Sequence, residues 1–355
     1  MAISTPCYCT REDVKAALDS KETARNNAQV DRALEAAVRS IDGLTHRRFW
    51  PWSGTRYLDW PNFQYARPWR LWLDSNEVIS VSALVSGGTT IAAADYFLRR
   101  SDGLDEPPYT HIEIDLASSA AFSVGTTHQR SAAITGVFGH SADEAAAGTT
   151  VEVLDISETG IDVSDSALIG IGDLIKVDSE RMLVTGKSML DTAVNIDAGD
   201  SLLASAADVA ITMSTTTGAP VEGEIILIGS ERMLVVDVAS TVLTVKRAWD
   251  GTVLATHAGS ADIFAPRTLT VVRASAGTTA ATHSTSAAIT KHVVPPLVRD
   301  LAIAEAMNTL LQEGSGYARE VGSGEGAREM SGKGLRDLRE QVRTAYGRNA
   351  RTMAI

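Results

Sequence analysis

A segment that occurs twice constrains the fold more than any other feature of this chain. Residues 172–184 read GDLIKVDSERMLV, and 51 residues later residues 223–235 read GEIILIGSERMLV. The identical Ser-Glu-Arg-Met-Leu-Val argues against a chance match. Each copy predicts a hairpin: an apolar strand, a turn at Asp178-Ser179 or Gly229-Ser230, and a second apolar strand. Two copies indicate either two similar β-modules or two halves of one barrel-like domain.

The repeats lie in an acidic block, residues 143–290, which is almost free of aromatic residues. The block contains 8 basic and 20 acidic residues, so it carries the whole net charge of −12. Abundant Gly, Ser and Thr and scarce Pro predict an all-β domain with short turns. Asp162, Asp165 and Asp173 do not match a calcium loop, and we interpret the acidic side chains as solvated surface. Such a surface repels nucleic acid at long range.

The two flanks of this block predict helices and a few short strands. Thr10 and Asp13 form a capping-box pattern at the start of a first helix. A stronger second helix carries the apolar stripe Val30, Ala33, Leu34, Ala37, Val38, Ile41 and Leu44. Strands are predicted near residues 78–85, 111–116 and 131–138, the second with Ile112, Ile114 and Leu116 on one side. A third helix begins near Pro295-Pro296, with the stripe Ile303, Ala304, Met307, Leu310 and Leu311.

The sequence thus predicts an α+β fold in which a discontinuous helical domain with a small sheet is interrupted by an all-β domain. Residues 1–142 and 291–313 form the first domain. Residues 143–290 form the inserted domain, with its two repeats offset by 51 residues. Residues 314–355 form a glycine-rich linker and a C-terminal helix.

An aromatic stretch before the first strands is interleaved with arginines. It includes Trp50, Trp52, Trp60 and Trp69, together with Arg47, Arg48 and Arg56. Three interpretations fit: a stacking platform for single-stranded nucleic acid, aromatic rings packed around a small sheet with arginines on their faces, or a subunit interface. We favour the packed sheet over the nucleic-acid platform, and we select Arg47, Arg48, Trp50, Trp52, Trp60 and Trp69 as candidate interface residues.

The C-terminal helix is amphipathic and follows a glycine-rich tether. Leu335, Leu338, Val342 and Tyr346 form its apolar side, and Arg336, Arg339 and Arg343 run beside that stripe. A stripe of this kind needs a partner surface. Docking on another protein and packing back on its own domain fit the pattern equally well.

The chain offers little that indicates catalysis. The seven histidines are scattered, and phosphate-loop, zinc-protease and nucleophile-turn motifs are absent. Cys7 and Cys9 are interpreted as free thiols near a loose terminus. We predict no catalytic residue, cofactor or metal, although a hydrolase site assembled in space is not visible in a sequence. No signal peptide and no membrane-spanning run is found.

Joined across the acidic block, the flanks resemble the head–tail adaptor (connector) proteins of long-tailed bacteriophages. The second helix leads into Ile41-Asp42-Gly43 and Arg47-Arg48-Phe49. The strand end at residues 134–140, ITGVFGH, is similar to the family's Val-Thr-Gly-x-Trp-Gly-Tyr, with Phe138 and His140 in place of Trp and Tyr. Val294-Pro295-Pro296 is similar to its helix start, although about 150 residues separate the two signals here rather than a few.

The repeated block separately resembles β-modules of phage structural proteins. In those modules the hairpin is followed by Arg-x-x-x-Gly-Thr-x-x-x-x-His. Arg247, Gly251, Thr252 and His257 match this second part after the second copy, and the first copy is expected to lack it.

The resemblance implies a mechanical role in the phage neck. Adaptors of this family form a ring, usually of twelve subunits, beneath the portal and connect the capsid to the tail. The C-terminal segment would dock on the portal through Leu335, Arg336, Leu338, Arg339, Val342, Arg343 and Tyr346. A tail-side neck protein would bind the opposite face, and DNA would pass through the lumen without sequence-specific binding. The protein would be made in the bacterial cytoplasm and act in the virion, with no membrane partner. The alternative is another virion or decoration protein whose β-domain binds a host surface glycan.

Overall fold

The computed structural model describes residues 3–18, 27–61, 67–314, 320–321, 328–329 and 333–348. Strands account for 36% and helices for 21% of the described residues, so the fold is mostly β with few helices and several sheets. Most of the predicted glycine-rich linker, residues 314–334, lies outside the described residues.

The described residues contain four helices and nineteen strands. The helices are α1 (Arg11–Ala17), α2 (Asn27–Thr45), α3 (Pro296–Gly314) and α4 (Lys333–Tyr346). The strands before the acidic block are β1 (Trp52–Leu58), β2 (Arg70–Trp72), β3 (Val78–Ser86), β4 (Thr89–Ile91), β5 (Tyr96–Arg99), β6 (His111–Ile114) and β7 (Ala132–Phe138). The next are β8 (Glu144–Thr149), β9 (Gly160–Asp162), β10 (Leu174–Val177), β11 (Glu180–Asn195), β12 (Ala210–Thr212), β13 (Ile225–Ile228) and β14 (Glu231–Ala239). The last are β15 (Val242–Lys246), β16 (Asp262–Val272), β17 (Ala288–His292), β18 (Glu320–Val321) and β19 (Arg328–Glu329).

Local sequence accounts for the first two helices. The Thr10 hydroxyl accepts a hydrogen bond from the backbone N–H of Asp13, and the Asp13 carboxylate accepts one from Thr10. This confirms the capping box, which satisfies two backbone donors that a helix start leaves open. In α2 the predicted stripe is buried from Val30 to Ile41, as three-and-four spacing requires.

The buried face of α3 differs from the predicted one. Its fully buried side chains include Val298, Leu301, Ala302 and Ala306, which the predicted stripe omitted, whereas Leu311 is 37% exposed. The reason is that α3 contacts α1, α2 and α4. Three neighbours cover a wider arc than one apolar stripe describes, so the stripe alone could not fix the rotation of the helix.

The strands before the acidic block form two small antiparallel sheets around one hydrophobic cluster. Their orders are β1-β7-β3-β4 and β2-β6-β5. Ile112 and Ile114 are buried as predicted, but Leu116 is 72% exposed. The strand ends at Ile114 because the Asp115 side chain then accepts a hydrogen bond from the backbone of Ala117, which turns the chain away from the sheet.

The repeats belong to one ten-stranded sheet in which one module interrupts another. The order is β12-β15-β14-β13-β16-β11-β10-β17-β8, with β9 beside β16. Strands β11 and β16 pair from Leu183↔Val272 to Asn195↔Asp262. Residues 196–261 connect those last two paired positions and add β12 to β15 to the same sheet. We call residues 196–261 the inner module, and residues 144–195 with 262–292 the outer module.

The two modules have different cores. The inner module, with adjoining Val194 and Ile263, buries a cluster of its own. The outer module shares a cluster with the helices, in which strand residues such as Ile175 lie among residues of α2 and α3. Cys7 and Cys9 are buried in this shared core, and the Cys7 N–H donates to the Gly172 carbonyl at 2.9 Å. Burial raises the pKa of the Cys7 thiol. The interpretation of these thiols as part of a loose terminus is therefore wrong.

Candidate functional sites

The C-terminal helix α4 lies on its own chain. Val342 is fully buried, and Leu335, Leu338 and Tyr346 pack against the core shared by α2, α3 and the outer module. The Tyr346 ring stands edge-on to Phe49 at 5.5 Å between centroids. The structure thus shows the arrangement in which this helix packs back on its own domain.

The arginines of α4 lie at its outer side. Arg339 Nε donates to Glu305 Oε1 at 2.7 Å, and Glu305 is only 5% exposed. Arg343 pairs with Glu340 of the same helix on open surface, and Arg336 is exposed. The open face of α4 is therefore polar and rich in arginine, and its docking on a portal stays a prediction.

The aromatic stretch is largely used inside the chain. Trp60 is 6% and Trp50 9% exposed, while Trp52 and Trp69 pack partly buried against the small sheets. The Arg48 guanidinium lies 4.3 Å from the centroid of the Trp50 ring. The structure thus has rings packed around a sheet with arginines on their faces, as we favoured. A subunit interface here stays a prediction, and of the six candidates only Arg48 is exposed.

A buried ion cluster stabilises the inner module. Glu231 is 0% exposed and forms a two-bond ion pair with Arg247, the shorter bond being 2.7 Å. The same carboxylate accepts from the backbone N–H groups of Ala248 and Ala255 and contacts His257 Nε2 at 2.9 Å. Arg247 and His257 of the sequence motif therefore bind the Glu of the repeated hairpin, and Thr252 accepts a hydrogen bond from the backbone of the next residue, Arg232.

The outer module contains the same cluster around Glu180. Arg273 forms the paired bonds, at 2.8 Å each, and His283 Nε2 contacts the carboxylate at 3.0 Å. The backbone N–H groups of Ala274 and Ala281 complete the set. The expectation that the first copy lacks the second part of the motif is wrong. Arg273, Gly277, Thr278 and His283 repeat the spacing of the second copy, displaced beyond the inner module.

Backbone geometry repeats as well. Ala248 and Asp250 adopt the left-handed region at φ 51° each, and Ala274 and Ala276 adopt it at φ 52° each. Positive φ is costly for residues with a Cβ, so it persists only where surrounding contacts enforce it. The ion clusters supply those contacts, because each Glu binds the backbone at both ends of the loop.

The electrostatics of both clusters favour the ionised carboxylate. Burial opposes ionisation of Glu180, but hydrogen bonds from Arg273, two backbone amides and His283 outweigh burial and lower its pKa to about 2. Burial likewise opposes ionisation of Glu231, and its bonds from Arg247, His257 and two amides lower its pKa to about 2. The interpretation of the acidic residues as solvated surface is therefore wrong for these two, and for the buried Glu224.

These clusters are built to stabilise the fold. His283 contacts Asp178 through Nδ1 at 2.7 Å and Glu180 through Nε2 at 3.0 Å, so neither ring nitrogen faces a hydroxyl. Proton abstraction from a serine would need a free ring nitrogen within hydrogen-bond reach. The sequence signal that could have revealed both clusters was the Glu that stands at the same position of each repeated hairpin.

A third buried ion pair connects the two modules. Glu224 of the inner module accepts two hydrogen bonds from Arg267 on β16, at 2.9 and 2.7 Å. Its Oε1 atom also accepts from the backbone N–H of Ser166 in the outer module. The relative placement of the modules thus depends on a charge pair removed from solvent.

Three further observations bear on function. Among the described residues, no three or more His, Cys, Asp or Glu side chains are grouped so that they could bind a metal ion. Within the same part of the chain, every helix is too short or too polar to cross a membrane. No family model matches the chain, and no significant match was found among curated proteins or among solved structures.

Proposed function

We propose that this chain is a non-enzymatic structural subunit of a phage neck, which forms a ring under the portal and joins the capsid to the tail. In this proposal residues 1–142 and 291–313 are the adaptor core, and residues 143–290 are an inserted β-domain. The virion is the site of action, after synthesis in the host cytoplasm. The partners are further copies of the chain, the portal, a tail-side neck protein, and DNA passing through the lumen.

The contact between the two ends of the β-block carries the proposal. The Val293 N–H donates to the Asp143 carbonyl at 2.8 Å, and β8 and β17 pair beside this contact. The His140 N–H donates to the Arg48 carbonyl at 2.9 Å, and His292 Nε2 contacts the Phe49 carbonyl at 3.0 Å. The strand end, the start of α3 and the exit of α2 therefore meet at one point. This supports the view that the adaptor signals in the two flanks belong to one scaffold.

The open arginine row of α4 supports a portal contact. Arg336, Arg339 and Arg343 belong to a helix that follows residues 315–332, a stretch long enough to act as a tether. The helix is held to the body by the Arg339–Glu305 pair and by packing of Leu335, Leu338 and Tyr346. Two arrangements of α4 fit the proposed ring. The helix either stays on its own chain and binds the portal through its arginine face, or it leaves this position and packs its apolar side on the portal.

Electron microscopy and mass photometry of the full chain, alone and with the portal, test the assignment. We expect an annular particle with a central hole, since a head-to-tail interface that closes generates a ring. A chain that stays monomeric at all concentrations and ignores portal rings contradicts the proposal.

A pair of variants separates ring formation from portal docking. The double change Arg336→Glu and Arg343→Glu alters exposed side chains, so it should abolish portal association and leave ring formation intact. Truncation after Gly314 should also abolish portal association. Arg130→Glu, in the exposed turn before β7, is the matched charge control. Normal portal association of the truncated chain would sink the docking role of α4.

A further inference from the structure

An arginine-rich cleft lies where α2 leads into β1. Its volume is about 220 Å³, and its walls include Arg47, Arg48, Arg56, the rings of Trp52 and Phe138, and Glu77. The cleft combines three guanidinium groups with aromatic walls. It takes no part in the ion clusters of the β-modules or in the packing of α4.

Positive charge exceeds negative charge in this cleft. Glu77 is 5% exposed and pairs with both Arg47, at 3.4 Å, and Arg348, at 3.0 Å. Within the described part of the chain, Arg48 and Arg56 have no carboxylate partner; their guanidinium groups stack on Trp50 and Trp52, each at 4.3 Å. Three guanidinium groups therefore line the cleft beside a single carboxylate, and that carboxylate already binds a further arginine, Arg348.

Several donors of these arginines lack acceptors. The Nε atoms of Arg47, Arg56 and Arg348 are buried, and none of them finds a hydrogen-bond acceptor among the described residues. Buried donors without acceptors destabilise a protein, and their presence at a cleft indicates that an acceptor is expected from outside. Burial, followed by the charges of Arg47 and Arg100, lowers the pKa of the neighbouring His140 to about 4, in keeping with this positive surrounding.

We infer that this cleft binds a phosphate group. Planar guanidinium groups match phosphate oxygens in paired hydrogen bonds, and stacking on Trp50 and Trp52 fixes two of them in advance. A phosphate monoester carries close to two negative charges at neutral pH, which suits an excess of unpaired arginines better than one carboxylate does. The aromatic wall of Trp52 and Phe138 gives an attached base or sugar a surface to lie against. The inference does not depend on the phage-neck proposal.

Calorimetric titration of the full chain with inorganic phosphate at low ionic strength tests this site. We expect millimolar or tighter binding, and a loss of roughly tenfold or more in affinity for Arg48→Gln and for Arg56→Gln, since each removes a charge-assisted donor. Arg48 is exposed, so its replacement leaves the fold intact. Arg130→Gln is the matched control, because Arg130 also stacks on a ring, that of Tyr57 at 4.2 Å, but does not line the cleft.

The source of the phosphate is resolved by competition. A nucleoside monophosphate and a short single-stranded oligonucleotide are each titrated against bound phosphate. Displacement by the mononucleotide at lower concentration indicates a free nucleotide, and displacement by the oligonucleotide indicates a nucleic-acid backbone. The absence of phosphate binding at millimolar concentration, or unchanged binding by the Arg48→Gln and Arg56→Gln double variant, overturns the inference.

Discussion

The outer and inner modules contain the same ion cluster but have different surroundings. In the outer module the loop at Ser275–Gly277 lies against β1, and Arg181 donates to the Ser53 hydroxyl at 2.9 Å. A Cβ on Gly277 would lie 1.9 Å from the Ser53 carbonyl. The equivalent inner loop at Trp249–Gly251 carries a large ring and an acid, and Asp250 pairs with Arg232 of its own module and, at 4.0 Å, with Lys15 of α1. The cluster therefore builds the module, and the loop residues decide which surface the loop contacts: the backbone of β1 in the outer module and a charged side chain of α1 in the inner module.

The nesting of the modules follows from where the cluster lies. Glu180, Arg273 and His283 meet at one end of the β11–β16 pair, whereas residues 196–261 enter at the other end, beyond Asn195 and Asp262. An interruption at that open end leaves every contact of the cluster intact. A module held together at one end can accept a second module at the other.

Loss of the buried Glu is the largest expected effect. Glu180→Ala should destabilise the chain by about 3–5 kcal/mol, because it leaves Arg273 and His283 buried without their carboxylate. Glu231→Ala should destabilise the inner module by a similar amount. Hydrogen exchange should show lost protection across the helices for Glu180→Ala, since the outer module shares their core, and only within residues 196–261 for Glu231→Ala.

The isosteric changes Glu180→Gln and Glu231→Gln serve as controls, because they keep the shape and remove the charge. Their free energies of unfolding should lie between those of the wild type and the alanine variants. Loss of protection in the helices on changing Glu231 would contradict the separation of the two cores.

Acid should weaken both modules over the same pH range. The pKa of Glu180 and that of Glu231 are each lowered from 4.5 to about 2 in the folded state. Their stabilising contribution is therefore complete above pH 4.5 and is lost as the pH falls from 4.5 toward 2. Each carboxylate accounts for up to roughly 3 kcal/mol of this loss. Urea unfolding at pH 7 and at pH 3 measures the difference in the free energy of unfolding between the two pH values. Glu180→Gln and Glu231→Gln should each reduce that difference by the contribution of one carboxylate. A variant with an unchanged difference would contradict the assignment.

The two modules also show what the sequence could reveal. Hairpins, the capping box and the α2 stripe depend on residues close together in the chain, and the structure has all three. The second part of the outer motif was missed because 66 residues of inner module separate Asn195 from Asp262. An acid next to a turn is usually exposed, so the sequence predicts Glu180 and Glu231 to be solvated. Their burial depends on arginines that no local pattern places beside them.

Replacement of the loop threonines should lower the free energy of unfolding by less than replacement of the buried Glu, and it compares the two loops directly. Thr252 Oγ1 accepts from the Arg232 N–H at 3.0 Å and donates to the Trp249 carbonyl at 2.9 Å. Thr278 makes the same pair of bonds to Arg181 and Ser275. Thr252→Val and Thr278→Val should each cost about 1 kcal/mol, since the shape is kept and two hydrogen bonds are lost. Thr278→Val should cost more, because its loop also supports the contact with β1. Equal values in urea unfolding would show that docking on β1 adds nothing to the cluster.

Removal of the whole inner module, residues 196–261, should have the smallest effect on the stability of the rest of the chain. Asn195 and Asp262 are already paired across β11 and β16, so an Asn-Gly turn between them closes the outer module without strain. Arg267 loses Glu224, but the face it occupies becomes open to water, so no buried charge is left unpaired. We expect a folded chain that keeps its helical circular dichroism and a cooperative thermal transition within a few degrees of the wild type. A chain that aggregates or melts without cooperativity would show that the repeats are two halves of one domain, each needing the other to fold.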